Sequence, residues 1–169
     1  MHSLELLLPI GLGLALAATA GLRAFVPLFT VSLLGWTGVL ELGETMAWLG
    51  TPTATLCFSV AVLIELLADK IPYVDHAVDV VGTLARPLAG ALVGTSLIVG
   101  ADPLLAAVAG LMAGGAVAGL THAGKATVRL GSTATSGGVA NPVVSLVEDV
   151  IVLSTGALAA LAATGVVAL

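Results

Sequence analysis

Apolar residues run along this chain in long, nearly unbroken stretches, and polar residues are confined to the joints between them. A helix needs about 20 apolar residues to cross a hydrocarbon core. Five stretches approach that length: Leu4 to Leu22, Pro52 to Leu67, Pro87 to Gly100, Pro103 to Leu120, and Val143 to about Ala163. The third is short. Proline stands at or just before the start of four of the five, where a missing N–H costs a helix least. One further stretch, "RAFVPLFTVSLLGWTGVL" from Arg23 to Leu40, is too apolar for a simple loop. It could extend the first helix, form a re-entrant segment or make a sixth span; Gly21 and Pro27 favour a break, so a bent or re-entrant element is expected. The pattern therefore predicts an all-α, polytopic transmembrane helical bundle of about five spans plus that element, in a single integral membrane domain over residues 1–169.

Composition sharpens this reading. The chain is 59% hydrophobic and 9% charged, against about a quarter charged in soluble domains, and its mean hydropathy is +1.17. Lipid is the solvent such a surface suits. The formal net charge of −5 argues against nucleic acid, which requires clustered Lys and Arg. The single Cys57 excludes a disulfide framework and a thiolate metal site. "LALAATA", before Gly21, resembles a signal-peptidase site, but no Lys or Arg precedes Arg23, so a retained first span is expected.

Lys and Arg collect on the cytoplasmic side of membrane proteins. Lys70 and Arg86 flank the joint after the second stretch, and Lys125 and Arg129 follow the fourth; Glu41, Glu44 and Asp102 occupy the opposite joints. With five spans this predicts an N-terminus inside and a C-terminus outside. The expected location is a bacterial inner membrane.

The chain also echoes itself. Ala20-Gly21-Leu22-Arg23 resembles Ala123-Gly124-Lys125, and "ELLADKI" (Glu65 to Ile71) resembles "SLVEDVI" (Ser145 to Ile151). In both, a helix ending in small residues and a base precedes a helix bearing acids. Two inverted units, 4–71 and 103–163, linked by 72–102, would give the arrangement of many secondary transporters. In a chain this rich in Ala and Gly, chance matches are the alternative.

Ionisable residues near a membrane are costly unless paired or wetted, and usually functional. Glu65 and Asp69 share a helical face, as do Lys125 and Arg129, and Ser145 and Asp149, with Glu148 adjacent. Pointing the acids at Arg23, Lys125 and Arg129 across a central interface would build a substrate or ion pathway from Arg23, Glu65, Asp69, Lys125, Arg129, Glu148 and Asp149. The plainer reading is that these pairs fasten helix ends, with the long bases snorkelling to water. His122 is a candidate proton relay or an ordinary satisfied side chain. Asp75, His76 and Asp79 are weak metal candidates with no reinforcing cluster, and a short amphipathic surface helix accounts for them better. Lys70 and Arg86 read as topology markers. "GSTATSGGVANP", Gly131 to Pro142, reads as a loop and lacks the lysine of a phosphate loop.

Gly90 and Gly94, Gly110 and Gly114, and Gly115 and Gly119 each form G-x-x-x-G, which lets helix backbones approach closely, within one chain or in a homo-oligomer. No nucleophile, base or metal motif is present, so neither an enzyme nor a cofactor is expected. Membrane lipids are the expected partners.

"AGLRAFVPL" (Ala20 to Leu28), "ELLADKIPYVDHAVD" (Glu65 to Asp79), "RPLAGAL" (Arg86 to Leu92), "HAGKATVRL" (His122 to Leu130) and "NPVVSLVEDV" (Asn141 to Val150) together resemble the bacterial membrane family of domain of unknown function 4126. The resemblance spans nearly the whole chain and implies a small polytopic membrane protein. It carries no activity and no site residue. From the residues, the leading expectation is a small transporter or channel for a small ion or an anionic lipid headgroup; the alternative is a membrane scaffold that recruits a partner.

Overall fold

The computed structural model describes the backbone of residues 2–68 and 72–167 and the side chains of residues 10–68 and 78–165. Among these the chain is entirely helical: α1 (His2–Ala20), α2 (Phe25–Trp36), a 3-10 segment (Glu44–Gly50), α3 (Pro52–Ala68), α4 (Pro72–Ser96), α5 (Pro103–Ala109), a π segment (Gly110–Gly115), α6 (Ala116–Ser136) and α7 (Asn141–Val167). Two helices are long and apolar enough to cross a membrane, the continuous Pro103–Ser136 and Asn141–Gly165. The 3-10 segment and α3, bent by 67°, make a third if taken together. The remaining apolar helices are shorter: Ile10–Ala20 and Phe25–Trp36.

The burial pattern is inverted relative to a water-soluble protein. Leu67, Leu84, Leu104, Met112, Leu120 and Leu130 point outward, each more than two-thirds exposed, while Arg23, Glu65, Arg86, Lys125, Arg129 and Glu148 are buried. Burying charge while exposing leucine is favourable only where the surroundings are themselves apolar.

Three differences from the sequence pattern bear on the site. Pro87 does not open a span; it lies inside α4, which begins at Pro72 and absorbs the segment expected to be a separate surface helix. Much of the expected loop Gly131–Pro142 is helix, since α6 runs to Ser136 before Gly137 and Gly138, both in the left-handed region, turn the chain into α7. Residues 23–40, lastly, turn back along α1. Gly13 faces Leu97 at the end of α4, and Gly21 packs against Ala118 and Thr121 further along α6. From the turn at Arg23, α2 runs back until Gly35 meets Gly50, and the Gly43 N–H bonds to the Ser96 carbonyl at 2.8 Å. So α1 and α2 form a hairpin with Arg23 at its tip. At 12 residues, or about 18 Å, α2 is shorter than a full span of about 20 residues.

The glycines decide how closely α4 packs. A Cβ on Gly90 would lie 2.6 Å from the Gly114 carbonyl oxygen, and one on Gly94 3.3 Å from the Gly110 Cα. The two G-x-x-x-G pairs thus face each other within the chain, backbone on backbone. That contact holds α4 against α6 and aligns the next turns of both helices, which carry the charges.

Candidate functional site

Four of the five basic residues in the sequence meet at one place in the fold: Arg23, Arg86, Lys125 and Arg129. They come from the α1–α2 tip, from α4, and from successive turns of α6. Facing them are Asp79 of α4 and Glu148 and Asp149 of α7.

Arg23 is fully buried (0% exposed). Its Nε donates to Asp149 Oδ1 at 2.9 Å, and its Nη2 lies 2.6 Å from the same oxygen and donates to Ser145 Oγ at 2.9 Å. Glu148 Oε2 is shared: Lys125 Nζ is 3.2 Å away, Arg129 Nη2 3.3 Å and Arg23 Nη2 4.0 Å. Asp79 is held the same way, with Arg86 Nη2 at 2.9 Å and Lys125 Nζ at 3.5 Å from Oδ1, and Arg129 Nη1 at 3.2 Å from Oδ2. Each of these two carboxylates therefore faces three cations. Lys125 Nζ also donates to the Leu22 carbonyl at 3.2 Å, beyond the end of α1, where positive charge complements the helix dipole.

Asp79 lies in the part of α4 that precedes Pro87. Burial alone would push its carboxyl up; the cations Lys125, Arg129 and Arg86, with the hydrogen bond from Arg86, outweigh burial and hold it below the ordinary carboxylate value. Asp79 thus stays ionised through the neutral range.

His122 Nδ1 is 2.7 Å from Arg86 Nη1. A guanidinium has no acceptor, so Nδ1 accepts and the ring proton sits on Nε2, which is 3.5 Å from Thr83 Oγ1. Beside this group a cavity of about 300 Å³ opens between α4 and α6, with Asp79, Thr83, His122, Lys125, Arg129 and Asn141 on its walls. On the other face of α4, a second cavity of about 420 Å³ is almost wholly apolar, with Glu65 and Arg86 among the residues that line it.

The residues predicted from sequence separate into two sets. Arg23, Lys125, Arg129, Glu148 and Asp149 come together as one ionic cluster, and His122 borders it. Glu65 does something else: its two oxygens accept from the backbone N–H groups of Ala24 and Phe25, at 2.8 and 3.1 Å, which caps the start of α2 where four N–H groups have no helical partner. Asp69 lies outside the described residues, as do the side chains of Asp75 and His76. Among the described residues no group of three or more His, Cys, Asp or Glu is placed to hold a metal ion, and Asp79 is engaged by cations.

Sequence reasoning missed Arg86, which reads as a topology marker but is buried (1% exposed), and undervalued Asp79. Helical spacing carried the signal. Asp79 and Arg86 are seven apart, two turns on one face of α4. That spacing becomes visible only once α4 is known to run unbroken through Pro87.

A family model for a domain of unknown function (DUF4126) matches residues 10–169. The chain belongs to that family. The match takes in every element of the ionic cluster, so the DUF4126 domain contains the whole candidate site. No curated protein and no solved structure matches the chain.

Proposed function

We propose that this DUF4126 protein is a small integral membrane transporter or channel, whose substrate is a small anion or an anionic lipid headgroup admitted at the cavity between α4 and α6. One observation carries the reading: four buried cations from three separate elements converge in a chain with only five bases, and two of them, Lys125 and Arg129, line that cavity. Removing a charge from water costs several kcal/mol even after relaxation. Fastening helices does not require four such charges in one place, since the glycine contact of α4 with the π segment already does that without any.

The depth of the cluster shapes the proposal. Lys125 follows Pro103 by 22 residues (125 − 103) of one helix, roughly 30 Å, close to a full hydrocarbon thickness. This supports a site near one membrane face rather than at the midplane. By the bias of Lys and Arg, that face is the cytoplasmic one. The α1–α2 hairpin then returns the chain to the side it came from, so α1 begins on the opposite face, with Glu41, Glu44 and Asp102. The N-terminus-inside expectation assumed five spans with residues 23–40 not counted among them; with α2 running back toward the opposite face, we propose the reverse orientation.

The saturation of the cations by acids favours a second reading, a scaffold in which the cluster only locks α1, α4, α6 and α7 together. Reconstitution into liposomes separates the two. A transporter moves a trapped anion or a labelled anionic lipid, and Lys125→Gln abolishes that flux while the protein stays monodisperse. Absence of flux for every anion and lipid tried, with loss of folding in Lys125→Gln, leaves the scaffold.

A further inference from the structure

Arg86 stands between the two cavities. Its Nη2 donates to Asp79 Oδ1 at 2.9 Å and its Nη1 to His122 Nδ1 at 2.7 Å, and both of those partners line the cavity between α4 and α6. The Arg86 Nε–H is buried and has no hydrogen-bond partner among the described residues. Arg86 itself lines the other cavity, the apolar one of about 420 Å³ between α3 and α4. Its guanidinium lies directly over Gly82, where a Cβ would come within 2.8 Å of Cζ and Nη1 and 3.1 Å of Nε, and Gly82 is on the wall of that same cavity. Glu65, the other described ionisable residue on those walls, is taken up by the Ala24 and Phe25 N–H groups at 2.8 and 3.1 Å. What this apolar cavity lacks is one acceptor for the Arg86 Nε–H.

The walls decide what can bring that acceptor. Ala61 and Ala68 on α3 and Gly82 and Ala85 on α4 are small and leave room between the two helices. Ile64 and Val81, also on the walls, are 63% and 68% exposed, on the outer surface that suits lipid, so a ligand reaches the cavity sideways from the bilayer. Its volume lies within the range of ligand pockets (about 300–1,000 Å³). A buried donor left unmet is unfavourable, and hydrocarbon holds no water to meet it. The acceptor must therefore arrive attached to an apolar body. Depth narrows it further. Arg86 shares Asp79 Oδ1 with Lys125, which stands near the edge of the hydrocarbon, and at that level the chains of a bilayer end in their ester carbonyls. An ester carbonyl is a neutral acceptor fixed to the end of an apolar chain, and it adds no charge to a guanidinium already faced by Asp79.

We propose that the cavity between α3 and α4 is a binding site for an ester-linked membrane lipid: one acyl chain lies along the apolar walls, and its ester carbonyl accepts from the Arg86 Nε–H. The lipid completes the hydrogen bonding of Arg86 and holds the guanidinium against Asp79 and His122. Occupancy on the α3 side of α4 thus positions two residues on the walls of the cavity on its α6 side. The site goes beyond the transporter reading and does not depend on it. No covalent bond is made or broken.

The test uses the full chain, stripped of lipid in neutral detergent and titrated with phosphatidylethanolamine carrying ester-linked chains or with its dialkyl ether analogue, which has the same headgroup and chain length but no carbonyl. Binding is read by native mass spectrometry and by the shift of thermal unfolding. The ester lipid is expected to bind about fivefold tighter or more, the worth of one net hydrogen bond. Ala61→Phe fills the cavity and is expected to lose both lipids. Leu158→Phe, on the exposed face of α7, is expected to change neither, which separates this site from the lipid that coats any membrane protein. Arg86→Lys keeps the charge but has no Nε–H, and is expected to bind the two lipids alike. The proposal is overturned if ester and ether bind the parent equally, or if Ala61→Phe binds lipid as the parent does. It is also overturned if Ala61→Phe turns a dimeric parent into a monomer, which would give the cavity to a second copy of the chain. Where a variant does not fold, the ratio of ester to ether binding on the parent decides alone. The comparison reads no flux, so the transporter reading can fail without touching it.

Discussion

The helix pair α4 and α5–α6 holds two neighbouring regions made from opposite materials. Around Gly90, Gly94, Gly110 and Gly114 there are no side chains to speak of, and backbones touch. Farther along the same two helices, Arg86, His122, Lys125, Arg129 and Asp79 fill the interface with charge. The glycine region draws its stability from close van der Waals packing, which suits a lipid environment where burying apolar surface brings no gain. The ionic region draws on Coulomb attraction that must offset a large desolvation cost. The first supplies rigidity without chemistry, and the second has chemistry that depends on that rigidity.

The comparison is broken most severely by Arg23→Leu. It leaves Asp149 and Glu148 without a cation they now face, and breaking a buried pair costs about 3–5 kcal/mol. Thermal unfolding in detergent should show that loss, and Arg23→Leu combined with Asp149→Leu should recover much of it. An Arg23→Leu protein as stable as the parent would mean that the cluster does not hold the α1–α2 tip.

Gly90→Val comes next. Its Cβ would press on the Gly114 carbonyl 2.6 Å away, and overpacking of this kind costs about 1–3 kcal/mol. The loss should be the same in 50 mM and 500 mM salt (roughly 14 and 4 Å of Debye length), because no charge is involved. A loss that varied with salt would show that the glycine contact and the ionic cluster are a single unit.

A smaller effect is expected at the far end of the same helix. Asp102 Oδ1 accepts from the N–H groups of Leu104 and Leu105 at 2.9 and 3.2 Å, and replacing an N-cap by Ala costs about 1 kcal/mol. Asp102→Ala should speed hydrogen exchange at those two amides and leave the cluster's anion response untouched.

The smallest effect concerns pH. Asp79 titrates below its ordinary value when folded, so its contribution is fully present above the unfolded carboxylate pKa, about 3.9. It is lost only as pH falls through the lower, folded value. Stability attributable to Asp79 should be flat from pH 5 to 8 (on the order of the neutral range), with an acid limb below it that Asp79→Asn removes. A dependence near neutrality that vanishes in Asp79→Asn would contradict the geometry of the three cations.

The sequence by itself determined the environment and the joints. Stretches of leucine, valine and alanine with 9% charge allow only a helical protein with an apolar exterior, because every backbone group must find its partner within the segment. The G-x-x-x-G pairs and the spacing of Lys125 and Arg129 were likewise legible, being local and periodic. Tertiary structure decided the partners. Arg23 meets Asp149 from 126 residues away, and Glu65 reaches the start of α2 across 41; no period in the chain encodes either separation. It also decided the direction of α2, since a 12-residue apolar helix can end a span or turn back, and only a tip fastened by Arg23, Lys125 and Glu65 makes it turn. Hydrophobic pattern specifies which face of a helix meets lipid, but a charge acts over distance in a medium of low dielectric, and its partner is whichever opposite charge the packing brings near.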